Sequence, residues 1–165
     1  MDIDELKDAI NSSLDKLYER DLYLISNYAS DEPNHVSERA IVFRFGVYFD
    51  ELLKEKLPDY NLDSEYNRNK AEKKFLPSWE DGCFPDIIVH KRGSNDFNLL
   101  VIEFKTWWNS NQTDDKQKIQ QFCSSDTYQY KYGATVLLGK TRPEVKIELF
   151  DKNENSWTSL ETCGS

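Results

Sequence analysis

Two acidic residues and a lysine occupy related positions in two apolar stretches of the chain. Asp86 comes directly before one stretch, and Glu103 and Lys105 are two residues apart near the end of the next. Because side chains alternate between the faces of a strand, Glu103 and Lys105 share one face. Carboxylates that converge on one point repel each other unless a cation lies between them, and oxygen ligands favour Mg²⁺ or Mn²⁺. The pattern predicts a divalent-metal site at Asp86 and Glu103, with Lys105 beside it.

The two stretches are predicted to be an antiparallel pair of strands, because the turn-forming residues 93–96 separate them. In such a pair the start of the first strand lies beside the end of the second, which would bring Asp86 close to Glu103 and Lys105. The backbone carbonyl of Phe104 is a candidate for a further metal ligand. Lys105 would orient or deprotonate an attacking water, or stabilise negative charge on a phosphate. Together these groups predict a site that hydrolyses phosphodiesters.

The remaining sequence predicts the framework that positions this site. Helical and alternating hydrophobic periodicities predict the order helix, helix, three strands, helix, two strands. The predicted elements cover residues 4–27, 36–56, 61–68, 86–91, 98–105, 114–123, 134–138 and 145–150. A mixed sheet flanked by helices indicates the α/β class, and a chain of 165 residues fits a single domain, 1–165.

Pro85-Asp86, followed by Glu103-x-Lys105, resembles the signature of the PD-(D/E)XK nuclease superfamily. The restriction-endonuclease-like core of that superfamily runs helix, three strands, helix, strand. The order predicted for residues 36–140 is similar to it, with the N-terminal helix and the C-terminal tail as additions. The resemblance implies a nuclease that uses Mg²⁺ or Mn²⁺ to hydrolyse DNA phosphodiester bonds. RNA stays open as a substrate, as do defence, mobile-element maintenance and repair as biological settings.

The resemblance also implies residues on two helices. Many members carry a glutamate on the first core helix that is directed at the metal, and Glu38 is the candidate because it lies one turn before Ile41 and Val42. On the helix that follows the Glu103 strand, a lysine, arginine or glutamine often approaches the active site. Lys116 and Gln120 are the candidates there, and the spacing does not choose between them.

Further polar and aromatic residues have both a functional and a structural interpretation. Arg68 is a candidate for phosphate binding or an ordinary exposed strand residue. His90 is four residues after Asp86 and so is expected on the same sheet face, either to position a phosphate or as a structural histidine. Trp107 and Trp108 would stack on unpaired bases, cover the end of the sheet or anchor a partner.

Composition limits the partners that the chain is expected to have. The balance of 21 Lys and Arg against 30 Asp and Glu gives a net charge of −9, which argues against tight non-specific DNA binding by the chain alone. Because the sequence indicates no separate DNA-reading domain, selectivity would require a homodimer, a protein partner or discrimination of nucleic-acid structure alone. No stretch of roughly 20 apolar residues predicts a membrane span. The three widely spaced cysteines are typical of a reduced, cytoplasmic protein.

The alternative interpretation is a catalytically silent module on the same fold. Fold alone does not determine function, and an acidic surface with exposed aromatic residues would suit a protein-interaction subunit or an inhibitor. Such a module would not require the complete set of Asp86, Glu103 and Lys105. Metal binding distinguishes the two hypotheses.

Overall fold

The chain, analysed as a computed structural model, is described here for residues 1–25, 36–69, 72–79, 82–111 and 113–160. These ranges contain a six-stranded mixed sheet and four α-helices, which confirms the α/β class. The helices are α1 (Ile3–Arg20), α2 (Leu22–Ile25), α3 (Glu38–Lys56) and α4 (Thr113–Ser124). The strands are β1 (Asn61–Ser64), β2 (Arg68–Asn69), β3 (Glu72–Lys73), β4 (Ile87–His90), β5 (Leu100–Thr106), β6 (Tyr132–Leu138), β7 (Lys146–Asp151) and β8 (Ser156–Leu160).

The large sheet has the strand order β1-β4-β5-β6-β7-β8. Strands β5 and β6 are parallel, and every other neighbouring pair in this sheet is antiparallel. Helix α4 makes the connection that a parallel pair requires. The predicted antiparallel pairing of β4 with β5 is confirmed, with Ile87 opposite Ile102. Strands β2 and β3 form a separate small hairpin.

Helices cover both faces of the large sheet. The α1 and α3 side is apolar and includes Phe45, whose ring meets the Phe104 ring edge-on at a centroid distance of 4.9 Å. On the other face, Ile119 and Phe122 of α4 pack over Val101 of β5. This arrangement leaves Glu103 and Lys105 on the α4 side, because they alternate with Phe104 along β5. None of the helices in the described ranges has the length and apolar character of a membrane crossing.

The N-terminal helices differ from their predicted bounds for local reasons. Asp2 caps α1 through a capping box with Glu5, and the helix ends at Arg20 instead of continuing to residue 27. Residues 26 and 27 of that prediction lie outside the described residues. The carboxylate of Asp21 accepts hydrogen bonds from Arg44 and Tyr48 of α3, which ties the end of α1 to its neighbour. These contacts lie directly after Arg20, where the helix ends although the helical pattern of the sequence continues.

The predicted strand 61–68 is wrong beyond Ser64. Glu65 has a φ of 50°, in the left-handed region, so the chain turns out of the sheet at that residue. Arg68 therefore belongs to the β2–β3 hairpin, where it lies opposite Lys73. Hairpin β2–β3 and strand β8 were not predicted, and β8 replaces β7 as the edge of the sheet.

Candidate active site

The start of β4 and the end of β5 bring two carboxylates together. The register that places Ile87 opposite Ile102 places Asp86 opposite Glu103, and both residues face α4. Asp86 Oδ2 accepts a hydrogen bond of 2.7 Å from the backbone N–H of Phe104. This bond fixes the Asp86 side chain against β5. Asp86 lies one residue before β4 begins.

Glu103 is almost fully buried and has a lysine for its neighbour. Its side chain is 3% exposed, and its Oε1 atom lies 2.8 Å from Lys118 Nζ. The contact is an ion pair without the alignment of a hydrogen bond. Lys118 Nζ also donates a 2.9 Å hydrogen bond to the carbonyl oxygen of Phe84. An ammonium group of the protein itself therefore compensates the Glu103 carboxylate.

A second ion pair lies beside the first. Lys105 Nζ is 3.4 Å from Asp115 Oδ1, so strand β5 and helix α4 are joined by two lysine–carboxylate contacts. Asp115 Oδ2 is buried and has no hydrogen-bond partner among the described residues. A buried carboxylate oxygen without a donor is costly, and a cation or an ordered water would satisfy it.

Glu38 reaches the same end of the sheet from the other helix layer. It is the first residue of α3, and its Oε2 atom is 3.5 Å from Thr106 Oγ1 at the end of β5. Its electrostatic neighbours include Lys105, Asp86 and Asp115. The site therefore contains more carboxylates than lysines. We call it the acidic cluster, and its members are Glu38, Asp86, Glu103, Lys105, Asp115 and Lys118.

Burial and mutual repulsion control the protonation of the acidic cluster. Burial raises the pKa of Glu103 to about 8; Lys118 opposes the shift and Asp86 adds to it. Burial likewise raises the pKa of Glu38, Asp86 and Asp115. Such shifts mean that the ionised carboxylates lack sufficient positive charge around them. A further cation would favour their ionised forms.

The two lysines of the cluster are held in the charged form. Burial alone would lower the pKa of Lys105, but the Asp115 and Glu38 carboxylates outweigh it and the pKa is raised. Burial would likewise lower the pKa of Lys118, but negative charge, mainly that of Glu103, outweighs burial and the pKa is raised. Both ammonium groups are therefore available as fixed positive charges at neutral pH.

The donor set of the cluster suits a hard divalent cation. Among the described residues, no three carboxylate, histidine or cysteine groups are arranged to enclose a metal ion. Mg²⁺ does not require such a cage, because it commonly keeps several waters and takes one or two protein carboxylates. Asp86 and Glu103 would supply these, and the unpartnered Asp115 Oδ2 adds an oxygen acceptor nearby. The residues fit Mg²⁺ or Mn²⁺ better than a soft metal, which prefers thiolates.

The predicted Phe104 ligand is consistent with this geometry. Phe104 directs its N–H towards Asp86, and the N–H and C=O of one strand residue point to the same neighbouring strand. The Phe104 carbonyl oxygen therefore faces the Asp86 side of β5. Its role as a metal ligand stays a prediction.

Two of the predicted site residues lie elsewhere. His90 is on the α4-facing side, as its spacing from Asp86 predicts, but it occupies the opposite end of β4. Its Nε2 atom is 2.9 Å from Asp63 Oδ2, and its ring packs against Tyr66. Arg68 is exposed on the β2–β3 hairpin. Neither residue has a described contact with the acidic cluster.

Lys116 and Gln120 of α4 also point away from the acidic cluster. Lys116 Nζ lies 2.7 Å from Glu148 Oε2 on β7 and over the Trp157 ring of β8. Gln120 is exposed. The α4 residues that do reach the site are Asp115 and Lys118.

A helical spacing could have identified these two residues from the sequence. Asp115, Lys118, Ile119 and Phe122 follow the i, i+3, i+4, i+7 pattern of one helix face. Because Ile119 and Phe122 are buried against the sheet, residues that continue their stripe towards the N-terminus of α4 must reach the sheet end as well. The same extension, applied to α3, identified Glu38.

Trp107 and Trp108 follow β5 and pack against each other. Their rings meet edge to face at a centroid distance of 4.3 Å, and both side chains are partly buried against the α1–α3 core. This packing matches the prediction that they cover the end of the sheet. Their contact with nucleic acid or a partner stays a prediction.

Comparison with known proteins adds no assignment. No protein-family model and no curated protein sequence matches this chain. The functional interpretation therefore depends on the geometry and charge of the acidic cluster.

Proposed function

We propose that this protein is a metal-dependent nuclease of the PD-(D/E)XK type that hydrolyses DNA phosphodiester bonds. The observation that carries the proposal is the placement of Asp86 opposite Glu103, with Lys105 on the same face of β5. The fixed Asp86 carboxylate and the buried Glu103 carboxylate form one group at the end of two neighbouring strands. A site of this kind would attract a divalent cation and, through it, a phosphate.

The order of elements around the site supports the same proposal. Helix α3, three strands of the large sheet (β1, β4 and β5), helix α4 and strand β6 follow one another, interrupted only by the β2–β3 hairpin. This order is similar to that of the PD-(D/E)XK core. The parallel β5–β6 pair places the start of α4 beside the end of β5, which is where Asp115 meets Lys105.

Each residue of the acidic cluster has a distinct expected role. Asp86 and Glu103 would hold Mg²⁺ or Mn²⁺, which when bound would polarise the phosphate and lower the pKa of a water. Lys105, held by Asp115, would orient the attacking water or stabilise the negative charge that develops on the phosphate. Glu38 would accept a hydrogen bond from that water. Lys118 would hold the Glu103 side chain in place.

The direct test is a cleavage assay on supercoiled plasmid, linear duplex, single-stranded DNA and RNA, with Mg²⁺ or Mn²⁺ and with EDTA. Lys105→Ala is the active-site variant, and Lys116→Ala is its matched control because Lys116 pairs with Glu148 away from the cluster. The proposal expects cleavage that requires metal, is lost in Lys105→Ala and persists in Lys116→Ala. Which of the four substrates is cut assigns DNA or RNA.

The opposite result is equally informative. If no substrate is cut and neither Mg²⁺ nor Mn²⁺ raises the thermal stability, the nuclease proposal fails and the silent interaction module becomes the better hypothesis. Clear metal stabilisation without cleavage would indicate that a partner supplies part of the substrate binding.

A further inference from the structure

An exposed aromatic side chain lies directly beside the acidic cluster. Phe84 is 51% exposed, and its carbonyl oxygen accepts the 2.9 Å hydrogen bond from Lys118, which pairs with Glu103. The backbone of Phe84 is therefore fixed to the site while its ring faces solvent. Several exposed apolar side chains grouped beside a site are a candidate for contact with a ligand.

The Phe84 ring belongs to a surface formed by two adjacent segments, in each of which a buried residue is followed by an exposed one. Cys83 is buried and Phe84 points outward; Lys74 is buried and Phe75, 49% exposed, points outward. The two segments are joined by a 2.9 Å hydrogen bond from the Cys83 N–H to the Lys74 carbonyl oxygen. Phe75 and Phe84 are therefore both exposed on two segments that are hydrogen-bonded to each other.

Positive charge accompanies the two rings. Arg68 and Lys73 lie directly opposite each other in the β2–β3 hairpin, and both are exposed. Like charges at opposed positions destabilise a hairpin, and neither side chain has an ion-pair partner within the described ranges. The Lys73 side chain extends towards Gly82: a β-carbon added to Gly82 would lie 3.9 Å from Lys73 Cδ. An anion bound here would relieve the repulsion between Arg68 and Lys73. We call Arg68, Lys73, Phe75 and Phe84 the aromatic–basic surface.

We propose that the aromatic–basic surface binds single-stranded nucleic acid and guides it into the acidic cluster. A base would stack on Phe84, and the phosphates would contact Arg68 and Lys73. The cleavage of such a strand rests on the proposed nuclease activity, whereas the binding does not. The preferred substrate is then a strand or a junction with unpaired bases.

Charge and base accessibility both favour a single strand over a duplex. Duplex DNA carries about one negative charge per 1.7 Å of axis, and its bases are stacked on one another and not accessible to Phe84. A protein with a net charge of −9 repels that charge density strongly. A single strand carries less charge per unit length and offers the faces of its bases to an exposed ring.

The test measures equilibrium binding of a fluorescent single-stranded oligonucleotide and of its duplex by anisotropy, in EDTA so that no substrate is cut. Phe84→Ala removes the ring and Phe84→Tyr restores an aromatic face. Phe97→Ala is the matched control, because Phe97 is 47% exposed but lies after the opposite end of β4, beside Lys91.

The inference expects preferential single-strand binding that Phe84→Ala weakens about tenfold, that Phe84→Tyr preserves and that Phe97→Ala leaves unchanged. Replacing both Arg68 and Lys73 by serine should reduce the salt dependence of the affinity. Equal affinity for duplex, no binding of either form, or equal effects of Phe84→Ala and Phe97→Ala would overturn it.

The two proposals can fail separately. Metal-dependent cleavage that Phe84→Ala leaves unaltered, on both single-stranded and duplex substrates, would overturn the aromatic–basic surface and keep the nuclease. Binding that depends on Phe84, in a protein that never cleaves, would keep the surface and remove the nuclease.

Discussion

The two ends of strand β4 carry clusters of charge with opposite balances. At the start of β4, the acidic cluster has four carboxylates for two ammonium groups, and its carboxyl pKa values are raised. At the end of β4, the single carboxylate of Asp63 accepts hydrogen bonds from Arg92 and contacts His90. Arg92 and His90 outweigh the effect of burial and hold the pKa of Asp63 below its ordinary value.

The difference separates a site whose charge would favour a bound cation from one whose charge would not. Around Asp63 the negative charge is already neutralised, so a metal ion would have to displace Arg92 and His90. The acidic cluster retains excess negative charge, and one Asp115 oxygen has no hydrogen-bond partner within the part of the chain that is described. Perturbed protonation of this kind is typical of functional sites, whereas the Asp63 arrangement is typical of a structural ion pair.

The largest effect is expected on activity when the acidic cluster loses Asp86. Asp86→Asn keeps the shape of the side chain and removes the negative charge that would bind metal. We expect cleavage to fall at least about 100-fold, with the folded structure retained, because metal-ion and acid–base contributions are each of that order. Initial rates on the preferred substrate, beside circular dichroism, measure this. A variant that still cleaves at the wild-type rate would place the metal elsewhere.

The matching change at the other end of β4 should act on stability instead. Asp63→Asn leaves Arg92 and His90 without their carboxylate, and we expect a loss of about 2 kcal/mol in the free energy of unfolding, less than for a fully buried pair because Arg92 is exposed. Because the folded-state pKa of Asp63 lies below its ordinary 3.8, its contribution is present above about pH 4 and is lost as the pH falls further.

Urea denaturation of wild type and Asp63→Asn from pH 3 to pH 7 measures this difference. The two curves should converge towards low pH, while metal-dependent cleavage at neutral pH is retained. A loss of cleavage in a well-folded Asp63→Asn protein would mean that both ends of β4 are needed for activity. This would contradict the assignment of Asp63 to a structural ion pair.

Lys74 is a buried cation whose described hydrogen-bond partners are both uncharged. It is 2% exposed, donates hydrogen bonds to the Tyr66 carbonyl and the Tyr130 hydroxyl, and burial lowers its pKa to about 8. The unfolded chain holds this proton up to about pH 10.5, so the destabilising contribution of Lys74 shrinks as the pH rises from about 8 to 10.5.

Lys74→Met should therefore stabilise the fold by about 1–2 kcal/mol at pH 7, because the relief of burying a charge exceeds the two lost hydrogen bonds. The gain should shrink towards pH 10.5. Thermal unfolding of both proteins at pH 7 and pH 10 measures it. A destabilised variant at pH 7 would mean that the contacts with Tyr66 and Tyr130 matter more than the burial of the charge.

The smallest effect is expected from removing the internal cation of Glu103. In Lys118→Met, the Glu103 carboxylate loses its ammonium partner. A metal ion would then no longer compete with Lys118 for this carboxylate. We expect Mn²⁺ to raise the melting temperature of Lys118→Met by a few degrees more than that of the wild type. Lys116→Met on the same helix serves as the control. An equal metal response in the three proteins would show that Lys118 does not compete for the site.

The sequence was most informative where strand alternation and pairing determine position. Asp86, Glu103 and Lys105 could be placed together because an antiparallel pair and a two-residue spacing leave little freedom. Glu38 could be placed because it continues a buried helical stripe. Asp115 and Lys118 follow the same rule on α4 but were missed, because polar residues on every side of that helix obscure its buried face.

Other features depend on tertiary contacts that no local pattern carries. Lys74 lies in a polar, basic stretch typical of a linker, yet the small β2–β3 hairpin folds over the sheet and buries it. Strand β8 has only Trp157 and Leu160 as large apolar residues, because an edge strand buries little of its surface. The turn at Glu65 requires a left-handed conformation that its residue type does not predict.

The most direct test of the acidic cluster as a metal site is the binding of Mn²⁺, followed by electron paramagnetic resonance, to wild type, Glu103→Gln and Asp63→Asn. We expect saturable binding in the wild type and in Asp63→Asn, and loss of that binding in Glu103→Gln. Equal binding in all three proteins, or none in the wild type, would contradict the assignment of the acidic cluster as a divalent-metal site.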